Sequence, residues 1–244
     1  RSSDLINATE ETMVKYRWKS WFTGIHEAAE FMQNIDQTPT DQVSASEKQQ
    51  WKAEAKALQA IYYFYLVRTY GPVPILKENY KQDTPTDNLQ LSRGTVDECF
   101  NYIVQLLQEA QNEGLLSNAS SDAVTGLGRI DKSIAQAFMI EALTYRASWL
   151  FNGQCTYYAN LANNDGTKIF PSTPDENTIN ANWKKVVDAC ETFFSQYGTR
   201  YQLMYTDKNG NDVSGPDATN FDPYESYRRA VRTPRNEITK NKEM

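Results

Sequence analysis

Ser44 to Pro74, SASEKQQWKAEAKALQAIYYFYLVRTYGPVP, carries one helix with both of its ends marked. Ser44 and Glu47 stand at the spacing of a capping box, in which the two side chains satisfy free amides at the start of a helix. Between about Ser46 and Tyr70, the residues Trp51, Ala55, Leu58, Tyr62, Tyr65 and Thr69 recur at alternating steps of four and three. That period places them on one helical face. Ile61, Tyr63, Phe64, Leu66 and Val67 fill much of the rest near the C-terminal end, so this helix is expected to be the most buried. Gly71 suits a C-terminal cap that needs positive φ, and Pro72 and Pro74 stop any continuation.

The same period runs outward in both directions. Upstream, Met13, Tyr16, Trp18, Trp21, Ile25, Ala28, Ala29 and Met32 predict a helix from about Asp4 to Ile35, broken by Thr38, Pro39, Thr40 and Asp41. Downstream, a loop runs to Gly94. Thr95 and Glu98 then form a second capping box ahead of Val96, Phe100, Ile103, Leu107 and Ala110. A Ser-, Asn- and Gly-rich connection, Glu113 to Gly128, leads to Asp131. This residue is expected to cap a fourth helix reaching about Phe151, with Ile134, Phe138, Ala142, Tyr145 and Trp149 on one side. A long loop, Asn152 to Asn180, precedes a fifth helix with Asn182 as its cap and Trp183, Val187, Cys190, Phe194 and Tyr197 along it. Beyond Tyr197 the period fades, and Gly210, Gly215, Pro216, Pro223 and Pro234 predict loops with a short hairpin.

The expected fold is therefore all-α, tetratricopeptide-like helical hairpins with long loops. Residues 1–198 form the helical-repeat core and residues 199–244 a loop-rich segment. Strict self-similarity at the ~34-residue period of such repeats is not visible, so the repeat is degenerate. Loops this long in a compact domain usually carry function.

Composition closes several routes. Apolar residues make up 40% of the 244 and charged residues 23%, the mix of a chain that packs a core. Lys and Arg number 25 against 31 Asp and Glu, a net charge of -6, and basic runs such as Arg228, Arg229 and Arg232 are short. Phosphate neutralisation needs clustered cations, so no nucleic acid is expected as a partner. No stretch approaches the ~20 apolar residues of a membrane span, and Arg1-Ser2-Ser3-Asp4 lacks the regions of a signal peptide. Cys99, Cys155 and Cys190 read as reduced core residues.

Catalytic patterns are equally sparse. The single histidine, His26, lies mid-helix without a Cys or acid cluster at metal spacing and reads as a surface or interface residue. A Cys-His or Ser-His-Asp site would have to use it, and no nucleophile-elbow pattern accompanies any serine. Among 31 acidic residues nothing selects a pair for glycoside hydrolysis, so most read as solvated surface. Asp207, Asn209 and Asn211 have the alternate spacing of a calcium loop, but Asp212 replaces the turn glycine and Ala218 the bidentate glutamate. Gly126-Leu127-Gly128 is too short for a phosphate loop. No enzyme activity, metal or cofactor is expected.

The unusual figure is 15 Tyr, 10 Phe and 5 Trp, 12% of the chain and more than a helical core needs. Sugar C–H faces stack on such rings while nearby amides bond the hydroxyls. Trp51, Tyr62, Tyr65 and Trp149 belong to the core by periodicity. The loop rings are the binding candidates: Tyr80 beside Asn79, Tyr157 and Tyr158 with Asn160, and Tyr224 after Asn220. Packing within the loop is the competing role for each of these. Trp18 and Trp21 are intermediate, since a wide helix face buries one ring and shows another.

One order of segments resembles the SusD/RagB family of starch-utilisation-type proteins. Glu54-Ala55 through Leu58, Gln59 and Ala60, the aromatic run Tyr62-Tyr63-Phe64-Tyr65, and Leu66-Val67-Arg68-Thr69-Tyr70-Gly71-Pro72-Val73-Pro74 are similar to its E-A-x-x-L-R-A helix ending in L-V-x-x-Y-G-x-V-P. Arg93 with Thr95-Val96-Asp97-Glu98, then Gly128-Arg129-Ile130-Asp131-Lys132, Leu150-Phe151-Asn152-Gly153, Asn182-Trp183 to Ala189 and Asn236-Glu237-Ile238 extend the resemblance in order. Trp18, Ile25 and Ala28-Ala29 resemble its opening helix less closely. Gln59 stands where an arginine is usual, Met244 follows soon after the N-E-I segment although family members run well beyond it, and Arg1 opens the chain where a lipidated cysteine is expected. The resemblance implies a partial chain of a lipid-anchored protein, facing outward from the outer membrane with its anchor outside this chain. It would capture oligosaccharide for a TonB-dependent, SusC-like transporter and catalyse nothing. A soluble helical-repeat scaffold for a protein or peptide partner is the alternative.

Overall fold

The structure, a computed structural model, describes residues 12–76, 80, 84–119, 126, 128–173, 175–201 and 203–232. Among these it is all-α: α1 (Thr12–Asn34), α2 (Ala45–Tyr70), α3 (Val96–Glu113), α4 (Lys132–Ala147), α5 (Glu176–Tyr197) and α6 (Pro223–Arg232), with short 3-10 turns and isolated β-bridges between them. Contacts group the chain into two compact units, residues 1–190 and 191–244.

In the first unit consecutive helices pack as antiparallel hairpins, because partners climb one helix as they descend the next. On α1 and α2, Trp21 meets Tyr65 at 5.6 Å, the Ile25 carbonyl accepts a bond from Gln59 Nε2 at 3.0 Å, and Asp36 pairs with Lys52. On α2 and α3, Tyr63 meets Tyr102, Lys56 pairs with Glu109 at 2.9 Å, and Gln49 bonds the Glu113 carbonyl. On α3 and α4, Asp97 pairs with Arg146 at 2.6 Å and the Leu116 carbonyl takes the Lys132 amide at 2.9 Å. Thus α2 is flanked by α1 and α3, and it buries Ala57, Ala60, Tyr63, Phe64, Leu66 and Val67. Each of its larger apolar side chains contributes roughly 1.5–3 kcal/mol by leaving water. Gln59, the departure from the family pattern, is buried with its amide on α1.

Both capping boxes form, at Ser44/Glu47 and at Thr95/Glu98, and Asp131 caps α4 through the amides of Ser133 and Ile134. Gly71 has φ 72 and ψ -164, a conformation essentially restricted to glycine, and its N–H closes α2 on the Val67 carbonyl. Cys99, Cys155 and Cys190 are all free thiols. Burial pushes the Cys99 thiol up to about 11, and its S–H points at the Val73 carbonyl.

Three expectations need correction. The fourth helix stops at Ala147, where Ser148 turns extended and bonds the Tyr145 carbonyl through both its amide and its hydroxyl. Trp149 thereby leaves the helix face and is 61% exposed, not core. The fifth helix starts at Glu176, not after Asn182. Asp175 supplies the cap, its carboxylate accepting from the Thr178 amide at 3.0 Å and from the Thr178 hydroxyl, and Asn182 lies buried inside the helix. The buried stripe there is Asn182, Val186 and Ala189, so Trp183 and Val187, one residue on, are turned outward.

In the second unit, a helix stands where only loops and a hairpin were expected. Asp222 accepts the Glu225 amide at 2.9 Å, Pro223 opens the first turn of α6, and Ser226 anchors it to the buried Thr206 at 2.9 Å.

Candidate functional site

The loop between α4 and α5 is anchored by its own hydrogen bonds and by bonds to α3. Asn152, buried five residues past the end of α4, bonds the Ala147 carbonyl and accepts the Gln154 amide. A tight return follows, in which Leu161 pairs with Ile169 and Asn163 with Thr167. It docks on the start of α3: the Ile169 carbonyl takes the Val96 amide at 2.9 Å, and Asn163 Nδ2 bonds the Arg93 carbonyl at 2.8 Å. The first free amide of a helix is thus satisfied by the loop itself, which locks the loop in place.

That anchoring builds a column of rings from core to solvent. Phe100 on α3 meets Phe151 edge-on at 5.1 Å, Phe151 stacks on Phe170 at 5.9 Å, Phe170 on Tyr158 at 5.0 Å, and Tyr158 meets Tyr157 edge-on at 4.9 Å. Exposure rises along it: Phe100 and Phe151 are buried, Tyr158 is 37% exposed and Tyr157 84%. Offset and edge-to-face arrangements are the ones that ring quadrupoles favour. The outer tyrosines are therefore held in a set orientation while presenting open faces, and a tyrosine offers large contact area for little conformational entropy.

The remaining sequence candidates fall elsewhere. Trp18 and Trp21 are both half-buried in a second ring cluster, where Trp18 packs on Phe22 and Tyr70 and Trp21 on Tyr65 and Tyr70. Arg68, paired with Glu141, lies over Phe64 and Tyr65 at 5.4 and 5.1 Å and closes that cluster with a cation. Tyr80 is half-buried in the loop between α2 and α3, and Asn79 lies outside the described residues. Tyr224 sits on α6 in the second unit, 73% exposed, with Tyr227 and Val231 exposed along the same helix. Only Tyr157 and Tyr158, of the seven candidates, share a direct ring contact among the described residues.

Among the described residues no three His, Cys, Asp or Glu converge as metal ligands, and no helix is long and apolar enough to cross a membrane. The Asp207 carboxylate is engaged by its own loop, accepting from the Asn211 side chain and from the amides of Asn211 and Asn209. Those bonds, the Asn211 side chain's first, hold it below the usual carboxylate range. His26 is exposed on α1, 4.0 Å from Glu30.

The hairpin array itself has counterparts in known proteins. Residues 2–142 match the model of a family described as "Starch-binding associating with outer membrane". The chain belongs to the SusD-like family. A SusD-like protein of Bacteroides ovatus is 24% identical over 195 residues, covering 80% of this chain and 30% of the relative. The solved structure of BT4246 superposes with a TM-score of 0.70 at 28% identity, over 88% of this chain and 36% of that one. A SusD-like protein from Bacteroides fragilis NCTC 9343, 18% identical with a TM-score of 0.57 over 89% of this chain and 37% of that one, shares the fold. This SusD-like chain thus spans about a third of the length of those relatives.

Two groups escaped the sequence reading. Trp51 and Tyr62, core residues by their period, line an open groove between α1 and α2, and Trp149 stands exposed. Period reports which residues share a face and not what covers that face. Tyr224 was already a loop candidate, and what escaped was its helix, whose start, Asp222-Pro223 with Glu225, is hidden among breakers.

Proposed function

We propose that this SusD-like chain binds oligosaccharide without transforming it, in an outward-facing, lipid-anchored outer-membrane protein that delivers glycan to a TonB-dependent, SusC-like transporter. The observation that carries the binding role is the ring column ending in Tyr158 and Tyr157. Its inner rings are core and its outer rings are open, so a sugar's C–H face meets a platform that needs no reordering. The family's description as starch-binding and outer-membrane-associated supports the same ligand class and location. Each hydrogen bond to a hydroxyl replaces one to water and nets about 1 kcal/mol, so modest affinity is expected. A neutral sugar offers no charge to the surface, and binding should be nearly independent of salt.

The test is calorimetric titration of a panel of neutral oligosaccharides into the chain at low and high salt. Tyr157→Ala and Tyr158→Ala are compared with Tyr80→Ala, Tyr224→Ala and surface lysine replacements. Tyr157→Ala and Tyr158→Ala are expected to weaken binding with the helical signal intact. Binding that collapses with added salt points to an acidic ligand, and binding only to a protein or peptide points to the scaffold role. Either result overturns the proposal.

A further inference from the structure

The face of α2 that carries Trp51, Ala55, Leu58 and Tyr62 looks across at the face of α1 that carries Gly24, Glu27, Ala28 and Phe31. These two stripes do not close on each other. Ala28 and Ala55, buried and small, lie in the middle, with large side chains at the edges, so a groove of about 450 Å³ remains. At one end the Tyr62 ring lies directly on Gly24, where an added Cβ would come within 2.6 Å of Cε2. At the other end Trp51 stands beneath Arg129, whose guanidinium carbon is 6.0 Å from the ring centre.

The polar groups of the groove are arranged for recognition. Arg129 reaches Glu54 through Nε and Nη2 at 2.7–3.2 Å, and Gln50 bonds the same carboxylate at 2.9 Å, so the pair is fixed in place. A guanidinium has five N–H donors, and those not engaged by Glu54 remain for ligand oxygens. Across the groove, Glu27 has no hydrogen-bond or ion-pair partner among the described residues and offers acceptor lone pairs. Two aromatic walls, a fixed donor fork and an open acceptor, in a volume typical of small-molecule pockets, fit a ring that is apolar on its faces and hydroxylated at its edge.

We infer that this groove is a second sugar subsite, separate from the Tyr157–Tyr158 platform and lined by Trp51, Tyr62, Arg129 and Glu27. The inference rests on the glycan-binding reading and adds a site to it. Trp51 and Tyr62 stand 20 and nine residues before Gly71, at whose end of α2 the Phe170 ring lies, so the groove begins roughly 14 Å and ends roughly 30 Å away along the helix. The two sites therefore act on different ring units or on different chains of a glycan, and engagement of both raises avidity without any new contact.

The experiment titrates maltoheptaose, laminariheptaose, cellohexaose and mannohexaose separately into the chain and into its Trp51→Ala, Glu27→Ala and Tyr157→Ala variants, with circular dichroism on each. Glu27 is exposed, so its replacement tests the groove even where Trp51→Ala disturbs the fold. For the sugar that binds, two sites per chain are expected. Trp51→Ala and Glu27→Ala each weaken one of them at least fivefold, and Tyr157→Ala weakens the other. A single site, lost in Tyr157→Ala and untouched by both groove variants, overturns the inference and leaves the proposed function standing. A single site lost only in the groove variants upholds the groove and removes the platform. No binding of any probe to the parent chain overturns both.

Discussion

The first unit holds two aromatic assemblies that differ in how they are held. Trp18, Trp21, Tyr65 and Tyr70 pack between α1 and α2, and Phe64 ties Tyr65 to Tyr145 on α4, with Arg68 over Phe64 and Tyr65; each ring is buried or half-buried. Tyr158 and Tyr157 are carried by a loop and supported from the core side only, through the buried Phe170. Rings pinned from two sides contribute stability. Rings pinned from one side keep a free face, and they hold an orientation only because the residues beneath them are core. The platform thus depends on packing that it does not itself strengthen.

The largest expected effect comes where the two regions share a foundation. Phe151 is buried between Phe100 and Phe170. Phe151→Ala should cost about 3–5 kcal/mol, read from denaturant midpoints, and should disorder the platform as well. A loss below about 1 kcal/mol would mean that the column is not part of the core. Next is Gly71→Val, which puts a β-branched residue at φ 72 and brings its Cβ within 3.4 Å of Phe170. About 1–3 kcal/mol of stability should be lost, and Gly71→Ala should lose less. A midpoint equal to the parent's would mean that this helix end relaxes freely.

Tyr157→Ala should separate the regions cleanly. Stability is expected to stay within about 0.5 kcal/mol, as for an exposed side chain, while oligosaccharide affinity falls roughly tenfold, or about 1.4 kcal/mol. A comparable fall for Trp18→Ala with its fold intact would erase the distinction between the assemblies. The smallest effect concerns pH and belongs to the helical hairpin. Hydrogen bonds from Gln105 and then Lys56 lower the Glu109 pKa below 4.5, so its contribution is present above pH 4.5 and is lost as pH falls through the lowered value. Glu109 is about one-third exposed, and screening keeps the loss to a few tenths of a kcal/mol. Urea midpoints of the parent and of Glu109→Gln should differ at about pH 7 and draw together as pH falls below 4.5.

Side chains that bond to near neighbours along the chain are legible in the sequence alone. Ser44 with Glu47, Thr95 with Glu98, Asp131 and Gly71 mark helix ends through contacts two to four residues long, and all four act as their spacing indicates. Errors gathered where two adjacent stripes were both apolar, or where a cap competed with breakers. On α5, Trp183 and Val187 offer as good a period as Val186 and Ala189. Which stripe is buried is decided by α4, whose Gln136 Nε2 bonds the Ala189 carbonyl at 3.0 Å. Trp149 continues the period of α4, but Ser148 ends that helix before the tryptophan is reached.

The sequence by itself determined the all-α order of α1 to α5, the caps that open α2, α3 and α4 and the one that closes α2, and the family, because helix period and capping are local and survive without a partner. Only the tertiary structure decided which rings are open. Trp51 lines a groove because Ala28 and Ala55 face each other, and Tyr157 stands on Tyr158 and Phe170 because Ile169 bonds the Val96 amide at the start of α3. Exposure is a property of what lies opposite a residue, and residues opposite one another in space are far apart along the chain.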